Sequence, residues 1–216
     1  MKALLLTTTA AAILSLSPVK AATFTITDVG TSFADNSGII NGPGFDSPWT
    51  TPIILTTSTG ETFTTYCDDL FNNITVEGGQ ALTYVTGLVT TNGIGGALTE
   101  ATSNIMGQIA GIGLADLAKG NDDGSIAAQG AIWELEYGGP VTSTDATIQG
   151  DITTLLDTVH DDGTGFAQGL ISESGTQDQI LGSAAVPEPS TWVMLLMGIV
   201  GLSVATRKTR RDAISI

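Results

Sequence analysis

The 216-residue sequence predicts a β-rich α+β fold, a single β-sandwich or barrel-like domain with a helical insertion, followed by a C-terminal transmembrane helix. Three observations carry this. Alternating apolar and Thr-rich runs, separated by Gly and Pro, fill the first third of the chain beyond its leader. Apolar residues then recur at helical spacing through the middle. Both ends carry apolar stretches flanked by bases. Hydrophobic residues make up 42% of the chain, enough to favour a packed core over disorder.

The elements follow in order. Met1-Lys2, the apolar run Ala3 to Leu16 and the small residues before Ala22 read as a signal peptide over 1–21. The ectodomain is expected over 22–182. Phe24 to Val29 and Phe63 to Cys67 alternate, and Ile53 to Thr56 and Ala81 to Val85 have strand composition. Gly42-Pro43-Gly44, Ser47-Pro48 and Gly78-Gly79 punctuate them as turns. Helices are predicted near 97–118, 126–137 and 144–160. Leu98, Thr102, Ile105, Ile109 and Ile112 would form the inward face of the first, weakened by Gly111 and Gly113. Ser125 would cap the second, and Gly138-Gly139-Pro140 would stop it. Ile148, Ile152, Leu155, Leu156 and Val159 would face inward from the third. Phe166 to Leu181 would supply one or two closing strands, and 183–186 a short linker.

From Pro189 to Thr206 run 18 residues without a charge, a helix of roughly 27 Å that matches a bilayer core. Trp192 stands where an interfacial aromatic belongs. Arg207, Lys208, Arg210 and Arg211 would stay inside under the positive-inside bias, with 212–216 as a cytoplasmic end. The net charge is −15, but six of the seven bases lie in the terminal segments. Lys119 is left as the one base of the ectodomain against twenty carboxylates, a net of −19. That excludes nucleic acid as a partner, since nothing could displace counterions along a phosphate backbone. It leaves divalent cations attractive.

Val186-Pro187-Glu188-Pro189-Ser190-Thr191, the apolar span and the Arg-rich end together resemble the PEP-CTERM sorting tail of exported proteins in Gram-negative bacteria that make extracellular polymer. The resemblance covers the tail, 183–211, and not the ectodomain. It implies recognition of Pro187, Glu188 and Pro189 by an exosortase-like membrane enzyme, with the helix as a transient inner-membrane anchor. The protein would then pass to the cell surface or extracellular space, where biofilm matrix is the natural setting.

Cys67 is the only cysteine, so it has no intrachain disulfide partner. It reads as a small buried hydrophobe, as half of an interchain bridge, or as a nucleophile. Thr62 to Leu70, containing Tyr66-Cys67, and Ile126 to Trp133, containing Gln129, resemble the thioester domains of bacterial surface adhesins. That resemblance implies attack of Cys67 on the Gln129 carboxamide, loss of ammonia, and an acyl centre open to an amine on a surface target. Trp133, four residues on, shares the helix face of Gln129 and would shield the bond. Asp68 stands where those domains have an apolar residue. With Asp69 it would raise the Cys67 pKa, or else shuttle protons.

Asn121-Asp122-Asp123-Gly124-Ser125 and His160-Asp161-Asp162-Gly163 are acidic turns for which calcium is conceivable, although neither has the register of a calcium loop. No other cofactor and no metal site is expected. A single histidine rules out a multi-histidine zinc site, and no Gly-x-Ser-x-Gly elbow accompanies it. Glu134 and Glu136 fall on different helix faces and make a poor catalytic pair. The expectation is a non-enzymatic surface or matrix protein; the alternative is a secreted hydrolase with an unrecognised site.

Overall fold

The structure, a computed structural model, describes residues 22–32, 40–41, 50–72, 74, 81–93, 95–163, 167–173 and 175–181. The signal peptide, the three predicted turns between residues 42 and 79 and the whole sorting tail, including the 189–206 span, lie outside the described residues. Among those described, no helix is long and apolar enough to cross a membrane.

The elements are β1 (Thr23–Thr31), β2 (Ile40–Asn41), β3 (Ile53–Thr57), β4 (Thr62–Cys67), β5 (Leu82–Leu88), α1 (Glu100–Ala118), α2 (Asp122–Tyr137), β6 (Thr142–Ser143), α3 (Ala146–Thr158), β7 (Gln168–Ser172) and β8 (Gln179–Ile180). Six strands close an antiparallel barrel in the order β1-β3-β4-β8-β7-β5, with β5 returning to β1. The short β2 and β6 pair separately. Of the two β architectures the sequence allows, the chain adopts the barrel. All three helices are inserted between β5 and β7, which pair directly.

Two apolar clusters result. Ile26, Leu55, Leu82, Tyr84 and Leu170 fill the barrel from alternating inward positions. Ile109, Ile126, Ile132, Trp133, Ile148 and Ile152 anchor the larger one, between the helices and the wall carrying Tyr66 and Cys67.

α2 is the central helix, packed between α1 and α3. Every residue from Gly124 to Trp133 is buried, and the small side chains among them let its neighbours approach closely. Its N-cap is Asn121, whose side chain accepts from the Gly124 N–H, and not the expected Ser125. Asp122 and Asp123 fall in the first turn, where the helix dipole favours them. Ser125 lies one turn inside, its hydroxyl 2.7 Å from that of Tyr66. Gly138 ends the helix at φ 66°, a left-handed cap suited to glycine.

α1 buries a different face from the one its apolar spacing predicts. Ser103, Met106, Ala110 and Gly113 are buried with Ile109, while Ile112 is 40% exposed. Gly113 explains the rotation. A Cβ there would lie 2.5 Å from the Ala128 Cβ and closer still to the Tyr66 hydroxyl. Close approach to α2 outweighs burial of one more isoleucine. α3 buries Ile148 and Ile152 as its spacing predicts, with Asp145 capping the Thr147 and Ile148 N–H groups.

Candidate functional site

Cys67 is the last residue of β4, paired with Gln179 of β8, and only 4% exposed. α2 lies against this strand end and delivers Gln129, 1% exposed, to the cysteine backbone. The Cys67 N–H donates to Gln129 Oε1 at 2.8 Å, and Gln129 Nε2 donates to the Cys67 carbonyl at 2.9 Å. The carboxamide is thus bound edge-on by both polar groups of one residue. Bond lengths then keep the sulfur within about 8 Å of the carboxamide carbon. The thiol donates to the Asp69 carbonyl at 3.1 Å.

Trp133, 1% exposed, lies one turn beyond Gln129, and its indole acts to lower the thiol pKa. Burial is the main cause that raises the Cys67 pKa well above its ordinary value, followed by the charge of Glu136. The Asp69 carbonyl and Trp133 act in the other direction but do not prevail. At rest the group is a thiol, not a thiolate.

Asp68 and Asp69 have separate roles. Asp68 is buried, and its N–H donates to the Asp178 carbonyl at 3.1 Å. Its carboxyl is held above the usual carboxylate range by burial first, then by Asp178 and Asp69. Asp69 is a turn-former. Its side chain accepts from the Phe71 N–H at 2.9 Å, the Asn72 N–H at 3.2 Å and the Asn72 side-chain amide. Gly93 packs so tightly on it that no Cβ could fit.

The sequence reading gave several residues around the site no part in it, Glu136 having been weighed only as a poor catalytic partner of Glu134. Glu136, 4% exposed, accepts from the Gly93 N–H at 3.1 Å. Its carboxyl is also pushed up, by burial first and then by Asp68. Gln129, Trp133 and Glu136 step by four and three along one face of α2, a signal that was available in the sequence. Glu134, in contrast, is tied to the Val141 N–H at 2.9 Å. Gln177 donates to the Asp69 carbonyl at 2.6 Å, and Gln179 donates to Gln177 at 2.9 Å. The Tyr137 hydroxyl accepts from the Leu70 N–H at 3.1 Å. Together these hold the Cys67-Asp68-Asp69 turn in place.

The acidic turns lie elsewhere. Residues 121–125 form the start of α2. Asp161 and Asp162 accept from the Asn104 amide, and His160 is exposed. Among the described residues no group of three or more His, Cys, Asp or Glu side chains is arranged to hold a metal ion.

The comparisons with known proteins decide the other end of the chain. Residues 185–211 match the PEP-CTERM protein-sorting motif. This is an exported protein, sorted by an exosortase and held transiently at the membrane. The motif covers the tail alone, and no curated protein matches the chain. Among solved structures, the N-terminal thioester domain of fibronectin-binding protein SfbI from Streptococcus pyogenes aligns with a TM-score of 0.43 at 13% identity. The alignment covers 69% of this chain and 95% of that one. So distant a likeness says nothing about the chemistry at Cys67.

Proposed function

We propose that this is a non-enzymatic surface or extracellular-matrix protein whose Cys67 and Gln129 condense into an internal thioester, through which it attaches covalently to an amine. The amine would be carried by extracellular polymer or by another cell surface. Delivery rests on the two ends. The leader over 1–21 starts export, the 189–206 span anchors the chain with Arg207, Lys208, Arg210 and Arg211 inside, and the Pro187-Glu188-Pro189 segment presents it to the exosortase.

The observation that carries the thioester reading is the pair of hydrogen bonds between the Gln129 carboxamide and the Cys67 backbone. The Cys67 N–H already holds the oxygen on which negative charge would develop during attack, as an oxyanion-hole donor does. The site is buried, so an acyl–sulfur bond formed there would be shielded from bulk water until an amine reaches it.

The test is an intact-mass measurement. The purified protein should be lighter by roughly 17 Da than its processed sequence, one ammonia, and should resist thiol alkylation. Methylamine should bring it to about 14 Da above that sequence and free one thiol. Cys67→Ala and Gln129→Ala should each abolish both changes. A full-mass protein with an alkylatable thiol would reduce Cys67 to packing.

A further inference from the structure

Two carboxyl oxygens beside Cys67 stand out among the described residues. Asp68 Oδ1 and Glu136 Oε2 are buried without a hydrogen-bond partner, on side chains 1% and 4% exposed respectively. Native proteins seldom leave such acceptors bare, and a bound proton is the simplest way to relieve one. The other ionisable side chains around the Cys67 turn have donors or acceptors of their own. Asp69 takes its three donors from residues 71 and 72. Asp178 Oδ1 accepts from the Ser172 N–H at 2.6 Å. The Tyr137 hydroxyl lies between the Leu70 N–H and the Asp68 carbonyl. Glu136 and Asp68, the two carboxyls whose charges act on Cys67, are thus the ones with a buried oxygen that no donor reaches.

We propose that Asp68 and Glu136 are a proton-transfer pair, taking the proton of the Cys67 thiol and delivering one to the departing Gln129 nitrogen. The inference rests on the thioester reading above and adds to it the residues that govern how fast the bond forms. The step balances. The ionised member of the pair accepts the thiol proton, and the sulfur bonds to the Gln129 carboxamide carbon. The carbonyl electron pair moves onto Oε1, held by the Cys67 N–H. The protonated member then gives its proton to Nε2, the carbon–nitrogen bond breaks, and ammonia leaves. Thiol and amide become thioester and ammonia, and the pair ends with the single proton it began with. Burial keeps both carboxyls above the ordinary carboxylate range, aided by Asp178 and Asp69 at Asp68 and by Asp68 at Glu136, which suits them to sharing one proton.

The experiment starts from full chain recovered in urea with its amide intact. It is diluted into folding buffers from pH 5 to 10, quenched in acid, and followed by intact mass as the ammonia is lost. The wild-type rate should rise as the pair loses its first proton and fall as it loses the second, a bell lying on the alkaline side of the ordinary carboxylate range. Glu136→Gln and Asp68→Asn should each slow the mass change about 100-fold at the wild-type optimum and remove the bell. Their circular dichroism should remain that of the wild type. Either variant matching the wild-type rate, or a wild-type profile that is flat with pH, overturns the proton-transfer pair while leaving the thioester in place. A wild-type protein that never loses ammonia overturns the thioester reading itself. If Glu136→Gln does not fold, Asp68→Asn and the wild-type profile decide.

Discussion

Gly113→Ala sets two well-characterised effects against each other at the packing that supports the site. Within a helix, alanine is favoured over glycine by about 1 kcal/mol. An exposed Gly113 would therefore gain stability on substitution. Here the new Cβ would meet the Tyr66 hydroxyl inside van der Waals contact, the Tyr66 Cζ at 2.9 Å and the Ala128 Cβ at 2.5 Å. Neither neighbour can yield cheaply. Tyr66 is fully buried with its hydroxyl 2.7 Å from that of Ser125, and Ala128 sits on the central helix. Relief requires α1 and α2 to separate, and overpacking of this kind costs about 3 kcal/mol at the upper end of its range. The net expectation is a loss of about 2 kcal/mol, or a melting temperature lower by about 4–8 °C in a domain of this size. Urea titration should show a lower midpoint with an unchanged slope. Tyr66→Phe should cost about 1 kcal/mol alone through the lost hydroxyl contact. In the double mutant it should relieve part of the clash, giving less than additive destabilisation. A Gly113→Ala protein as stable as wild type, or strict additivity with Tyr66→Phe, would refute this account of why α1 turns its small residues inward.

Two further predictions concern pH and sorting. Asp68 and Glu136 have folded-state pKa values above their unfolded ones, so their contribution to stability is fully present at acid pH, below the unfolded carboxylate range, and is lost as pH rises towards the folded values. Stability measured by urea titration should fall from the carboxylate range through neutrality, and Glu136→Gln should flatten that fall; a wild-type curve without it would show both groups ionised in the native state. Replacing Pro187, Glu188 and Pro189 by alanine should leave a membrane-bound form with its tail uncut, whereas release at wild-type size and amount would contradict the sorting role.

Much of the fold was legible because it is written locally. Strand alternation in Phe24 to Val29 and Phe63 to Cys67, and the Gly138-Gly139-Pro140 stop, are each decided within a few residues. The face of α1 was misread because apolar spacing identifies which residues prefer burial. It does not show how near the next helix must come, and at Gly113 nearness decides. The α2 cap was misplaced because Asn121 and Ser125 are both good capping residues. The choice fell to Asn121 because Ser125 is engaged by Tyr66, 59 residues away. At the site, Cys67 and Gln129 were singled out from their local sequences. Gln177, Asp178 and Gln179 were not, because their bonds to the Cys67 turn cross more than a hundred residues. Glu136 could have been found, since its spacing from Gln129 and Trp133 was in view.

The pairing of Lys119 with Asp116 at 3.1 Å bears on what neighbouring copies offer one another. Between the proposed leader and the sorting tail this is the one lysine, and its ammonium is engaged by a carboxylate on the same helix face. If Cys67 and Gln129 are joined and the ends removed as proposed, a crowded layer of these molecules would hold little besides each new amino terminus that could open an acyl–sulfur bond in an adjacent copy. Such a layer could be laid down at high density without cross-linking itself, and would keep its reactive groups for material of foreign composition.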